Sequence, residues 1–117
     1  MASKALTGAA AEPIILSILA SGDSYGYPII KRVRDLSGGE VDWAAGSLYP
    51  VLHRMKTSGL IGSYWVEEAT ERKRRYYRIT PKGRKALAIE QSRWLTMHNI
   101  LARLWGLPPL ELDLLRG

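Results

Sequence analysis

The hydrophobic period of this chain changes twice, and that order of periods restricts its fold more than any other feature. From Pro13 to Ser58 apolar residues recur at helical spacing. From Leu60 to Ile79 they fall in two short runs rich in aromatic and β-branched residues. From Pro81 onward the helical spacing returns. Three helices, a hairpin and a long final helix are therefore expected.

Each segment has its own punctuation. The first helix is predicted to begin near Pro13, a residue favoured in a first turn. Ile14, Ile15, Leu16, Ile18 and Leu19 make it apolar nearly all round, so it should be buried. Gly22-Asp23-Ser24 breaks it, with Ser24 as the expected cap of the second helix. That helix runs to about Leu36, with Tyr25, Ile29, Val33 and Leu36 on one face. Pro28 keeps its start close to Ser24, and Ser37-Gly38-Gly39 ends it. The third helix is predicted over Gly46 to Ser58. Leu48, Val51, Leu52 and Met55 form its buried stripe, and Gly59 is its terminating glycine.

The runs Leu60 to Val66 and Lys73 to Ile79 read as two strands of a hairpin. The intervening loop carries neither Gly nor Asn, so its turn type is open. Thr80-Pro81 pairs a capping hydroxyl with a proline at the first helical position and starts a helix running to about Trp105. Leu87, Trp94 and Leu101 recur every seven residues along it, beside a less regular row of Glu90, Met97 and Leu104, as in a short coiled-coil seam. Gly106, Pro108 and Pro109 stop the helix. The apolar tail Leu110 to Leu115 is expected to pack back or against a partner.

The expected class is α+β, mainly helical: a winged helix-turn-helix with a C-terminal dimerisation helix. Residues 1–12 would be an N-terminal extension, ordered at most in part, and 13–79 the winged helix-turn-helix unit. Residues 80–106 would be the dimerisation helix and 107–117 a tail. A chain of 117 residues suffices for one core.

Composition removes several classes of function. There is no cysteine, hence no disulfide, thiolate metal site or thiol nucleophile, as fits a reducing cytoplasm. No apolar run approaches the ~20 residues of a membrane span. The longest, Pro13 to Ala20, lacks the basic flank of a signal peptide. His53 and His98 lie on different helices without metal-ligand spacing, and Gly38-Gly39 follows a helix and not a strand. Glu67 and Glu68 are adjacent at a strand end and point opposite ways. No enzyme, cofactor or metal is expected.

Charge gives the positive signal. Of the net +6, the window 71–85 holds eight bases and one acid, so the rest of the chain, with nine bases and ten acids, is −1. A local basic patch suits a polyanion, double-stranded DNA first and an anionic membrane second; a merely solvated charge run is the alternative. The bases sit on a hairpin, not along an amphipathic helix, which argues against a membrane surface. A winged module that binds protein also stays open.

Gly46-Ser47-Leu48-Tyr49-Pro50-Val51-Leu52-His53-Arg54-Met55 followed by Gly59-Leu60-Ile61 resembles the recognition-helix signature of PadR-like transcriptional regulators. Arg74-Arg75-Tyr76-Tyr77-Arg78-Ile79-Thr80 with Gly83 resembles their second wing strand, and Tyr25-Gly26-Tyr27 with Ile29-Ile30 their second-helix opening. The resemblance spans roughly residues 13–105. It implies a cytoplasmic, homodimeric, ligand-responsive repressor on a palindromic operator, paired through the helix after the wing and belonging to the shorter subfamily. Ser47 stands where Thr is more usual, and Met55-Lys56 where Leu-Glu is common. The wing lacks the family's frequent tip glycines.

On this reading Ser47, Tyr49, His53, Arg54 and Lys56 are candidates for DNA contact from the third helix. Lys73, Arg74 and Arg75 are phosphate candidates, though strand alternation keeps them from all pointing one way. Arg72 is a candidate minor-groove reader. Tyr76 and Tyr77 are read as core or cross-strand residues before nucleic-acid stackers. Trp94 is either dimer core or a wall for a planar hydrophobic effector, with Met97, His98 and Leu101 weighed the same way.

Overall fold

The computed structural model describes residues 8–69 and 72–110. Its elements are α1 (Gly8–Ala20), α2 (Gly26–Leu36), α3 (Ala45–Thr57), β1 (Ile61–Glu67), β2 (Lys73–Ile79) and α4 (Pro81–Trp105). The strands pair antiparallel, with Ile61 opposite Ile79 and Glu67 opposite Lys73. Three helices and a hairpin followed by a long helix make this a winged helix-turn-helix.

α1 lies at the centre, touching α3, α4 and β2. Ala11, Ile15, Leu16, Ile18 and Leu19 are buried on it. They meet Ile29 and Val33 of α2, the predicted stripe Leu48, Val51, Leu52 and Met55 of α3, Ile61 and Ile79 of the hairpin, and Leu87 of α4. Trp43, in the α2–α3 connection, is also buried, and no periodicity pointed to it.

Three local expectations need correction. α1 begins at Gly8 and not near Pro13, which lies inside it, so residues 8–12 are already helix. Ala9, Ala10 and Ala11 are strong helix formers, and Ala11 packs into the core, which together outweigh the proline signal. Residues 1–7 lie outside the described residues. Ser24 does not cap α2: Tyr25 holds the N-cap position without a side-chain bond. The Ser24 backbone is committed elsewhere, its N–H donating to the Tyr77 carbonyl at 3.1 Å and its carbonyl accepting from the Tyr77 N–H at 2.8 Å. Leu36, expected on the buried face of α2, is 75% exposed because that face leaves the core in its last turn.

The junction between α3, the hairpin and α4 follows the sequence signals closely. Gly59 takes φ +80°, which only glycine adopts freely, and turns the chain out of α3. Thr80 accepts from the Gly83 N–H at 3.0 Å and donates to the Gly59 carbonyl at 2.6 Å. One hydroxyl thus caps α4 and ties it to the end of α3. Lys82 donates to the Ser58 carbonyl at 2.7 Å, placing a cation at the negative end of α3. At the far end of α4, Gly106 caps with φ +72°, and the Asn99 side chain makes two hydrogen bonds to the Leu110 backbone, 2.9 and 3.1 Å. Leu110 is thereby tied back to α4; the rest of the predicted tail, 111–117, lies outside the described residues.

Candidate nucleic-acid interface

Burying one face of α3 leaves two flanks free. At 100° per residue Tyr49, His53 and Lys56 share one flank, and Ser47 and Arg54 the other. His53, Arg54 and Lys56 are exposed, Ser47 is half-buried, and Tyr49 is 47% exposed. The Tyr49 ring does not project freely: it lies over Gly26, where a Cβ would stand 2.6 Å from its hydroxyl oxygen. Tyr49 also lies near enough to Tyr77 to act electrostatically on that phenol. Tyr77 itself is buried, and burial pushes its phenol above the ordinary 10.0.

Strand alternation divides the basic wing into two faces. Lys73 and Arg75 share the face of Tyr77 and Ile79, together with their partners Glu67, Trp65 and Ser63. Arg74 and Arg78 share the face of Tyr76, with Val66, Tyr64 and Gly62 opposite. On the first face Arg75 donates to the Ser63 hydroxyl from Nε at 3.1 Å and Nη2 at 3.0 Å, and its guanidinium carbon sits 5.6 Å from the Trp65 ring centroid.

The second face is a clamp. Tyr25 meets Tyr76 at 5.2 Å between ring centroids, and Tyr76 stacks on Tyr64 at 5.9 Å. The Tyr64 hydroxyl donates to Asp23 at 2.5 Å, and this bond to a carboxylate raises the phenol's pKa. Arg74 lies 4.5 Å over the Tyr25 ring and pairs with Glu68 at 3.3 Å, while Arg78 covers Tyr64 at 6.0 Å. With the Ser24–Tyr77 backbone pair, these contacts fasten the hairpin to the α1–α2 turn and set its angle to α3.

The Lys73–Arg75 face of the wing is thus the one whose Tyr77 and Ile79 join the core with α3, and Arg74 lies on the opposite face. Arg72 is exposed before β2, its carbonyl accepting from the Glu68 N–H at 2.8 Å; residues 70 and 71 of the tip lie outside the described residues. Sequence reasoning missed Trp65, 63% exposed, and the Tyr64–Asp23 bond. Alternation separated the faces but could not say which one the core would take.

The candidate seam residues divide as well. A cavity of about 580 Å³ opens between α1 and α4, lined among others by Pro13, Ile14, Leu36, Trp94, His98 and Leu110. Trp94 and His98 are in its wall; Met97 and Leu101 are not, and are 54% and 37% exposed. Among the described residues there is no group of three or more His, Cys, Asp or Glu able to hold a metal. No helix there is long and apolar enough to cross a membrane.

A recognition-type helix beside a cationic wing defines a DNA-binding protein of the winged helix class. The profile of the transcriptional regulator PadR-like family matches residues 15–89, and the chain belongs to that family. Three solved structures show the likeness. A transcriptional regulator from Clostridium thermocellum is 36% identical with a TM-score of 0.71, covering 79% of this chain and 89% of its own. A PadR family transcription regulator from Clostridium difficile is 31% identical with a TM-score of 0.70, covering 81% and 97%. A PadR-like transcriptional regulator from Bacillus cereus is 30% identical with a TM-score of 0.71, covering 80% and 89%. The protein is a DNA-binding transcriptional regulator, not an enzyme.

Proposed function

We propose that this regulator is a cytoplasmic, ligand-responsive repressor that binds a palindromic operator as a homodimer. The observation that carries the dimer is the apolar surface left bare on α4 and just beyond it: Trp94, Met97, Ile100, Leu104, Trp105 and Leu107 are each about half exposed or more. Monomeric proteins rarely leave so continuous an apolar surface in water, and a second α4 is its natural cover. Residues 13–79 then serve as the DNA-binding unit, 80–106 as the dimerisation helix and 107–117 as a tail.

In such a dimer Ser47, Tyr49, His53, Arg54 and Lys56 meet the major groove, where base edges carry the sequence code. Lys73 and Arg75 take phosphates, and Arg72 reaches from the wing tip toward the minor groove. A small planar hydrophobic effector fits the cavity beside Trp94 and His98. It lies between α1 and α4, so filling it would shift α4 against the recognition helices. Two such helices must stay about one DNA turn, ~34 Å, apart to bind together, and a modest shift weakens binding.

The test is a duplex selected from a random library by the wild-type chain, followed in gel shift with and without a planar aromatic dye. A palindromic site, bound by a species of twice 13.1 kDa and released by dye in wild type but not in Trp94→Ala, supports the reading. A monomer at micromolar concentration, or a site without dyad symmetry, sinks it.

A further inference from the structure

We infer that Trp65 is a DNA-contacting residue of the wing, packing on the deoxyribose beside the phosphate that Arg75 holds. The inference rests on the reading that the wing grips DNA. Trp65 is 63% exposed on a short strand whose neighbours are mostly half-buried. It stands opposite Arg75 in the register, on the face shared with Tyr77 and Lys73. The clamp on the other face has no part in holding it.

Arg75 is what makes the exposed ring a site. Its guanidinium is fixed at two points, by paired hydrogen bonds to Ser63 and by the Trp65 ring 5.6 Å away. A guanidinium has five N–H donors. Two are spent on Ser63, and three remain for a phosphate. Every phosphate in a duplex is flanked by deoxyriboses, whose C–H surface is apolar. A phosphate seated on Arg75 therefore brings a sugar within reach of the adjoining indole. Among side chains Trp offers the largest flat apolar face to such a surface. The charge around it stays positive: Lys73 and Arg75 share the face with one acid, Glu67, and Arg72 precedes the strand.

The experiment uses the full chain and the library-selected duplex. Trp65→Ala should weaken binding about tenfold, as expected for losing the burial of one aromatic face. The slope of affinity against salt should not change, because no phosphate contact is removed. Arg75→Ala should lower that slope by about one. Trp65→Phe should retain most of the affinity but lose the larger part of the DNA-induced change in tryptophan fluorescence. Equal affinity in wild type and Trp65→Ala, or an unaltered fluorescence response in Trp65→Phe, overturns the inference while leaving the wider reading intact. A wild-type chain that selects no duplex overturns both.

Discussion

The Tyr49 phenol closes over Gly26, so the recognition helix and the opening of α2 meet at a side chain against a bare backbone. A methyl group at Gly26 would enter the space of the phenol oxygen at 2.6 Å, and a tyrosine can yield only by swinging its ring. Gly26→Ala should therefore keep the fold, since alanine favours a helix by up to ~1 kcal/mol over glycine. It should weaken binding of the selected duplex several-fold and alter base preference at the positions nearest Tyr49. Melting curves and a repeat selection with the variant check both parts.

Gly83 is a different case. A Cβ there would overlap the Leu60 backbone carbonyl and crowd Ile79 at 2.9 Å, and neither is free to move without opening the junction. Gly83→Ala should destabilise the chain by about 1–3 kcal/mol, the usual range for overpacking. Denaturant unfolding measures it; a variant as stable as wild type would contradict the close packing of α4 on the end of α3.

The wing arginines should separate in a salt titration. Arg75 retains free donors on the face shared with Lys73, whereas Arg74 is committed to Tyr25 and Glu68. Lys73→Ala and Arg75→Ala should each lower the salt slope by about one. Arg74→Ala should leave it nearly unchanged and act by loosening the hairpin. Equal slope changes for Arg74 and Arg75 would mean that both reach phosphates.

Alkaline pH should weaken the fold through Tyr77. Its phenol is pushed above 10.0 by burial in the folded chain. A group whose folded pKa is raised contributes stability fully below its unfolded pKa and loses it as pH climbs through the folded value. Thermal stability should thus be flat up to about pH 9 and fall above pH 10. Tyr77→Phe should flatten the upper part of that profile.

Pairing through α4 can be probed at its exposed end. Leu104 and Trp105 are 74% and 66% exposed and take no part in the core cluster. A double substitution to Glu should leave the melting of the remaining fold within a few degrees while shifting sedimentation at micromolar concentration from twice 13.1 kDa toward 13.1 kDa. An unchanged sedimentation profile would place the dimer contact elsewhere.

The chain by itself determined the element order, the buried stripe of α3 and both ends of α4. Each depends on contacts within a few residues: apolar spacing, the Thr80 cap with Pro81, Gly59 and Gly106. Which face of the hairpin meets the core was decided only in three dimensions. Alternation places Arg74 and Arg75 on opposite faces but is symmetric between them until Tyr77 and Ile79 are packed against α1 and α3. That choice turned Arg74 into a clamp with Tyr25 and left Arg75 with Trp65 and Ser63. The α4 heptad row is resolved the same way. Leu87 goes into the core of its own chain, while Trp94, one repeat on, borders the cavity between α1 and α4. Periodicity records that a residue is apolar on a given face; only the arrival of a distant element decides what that face will touch.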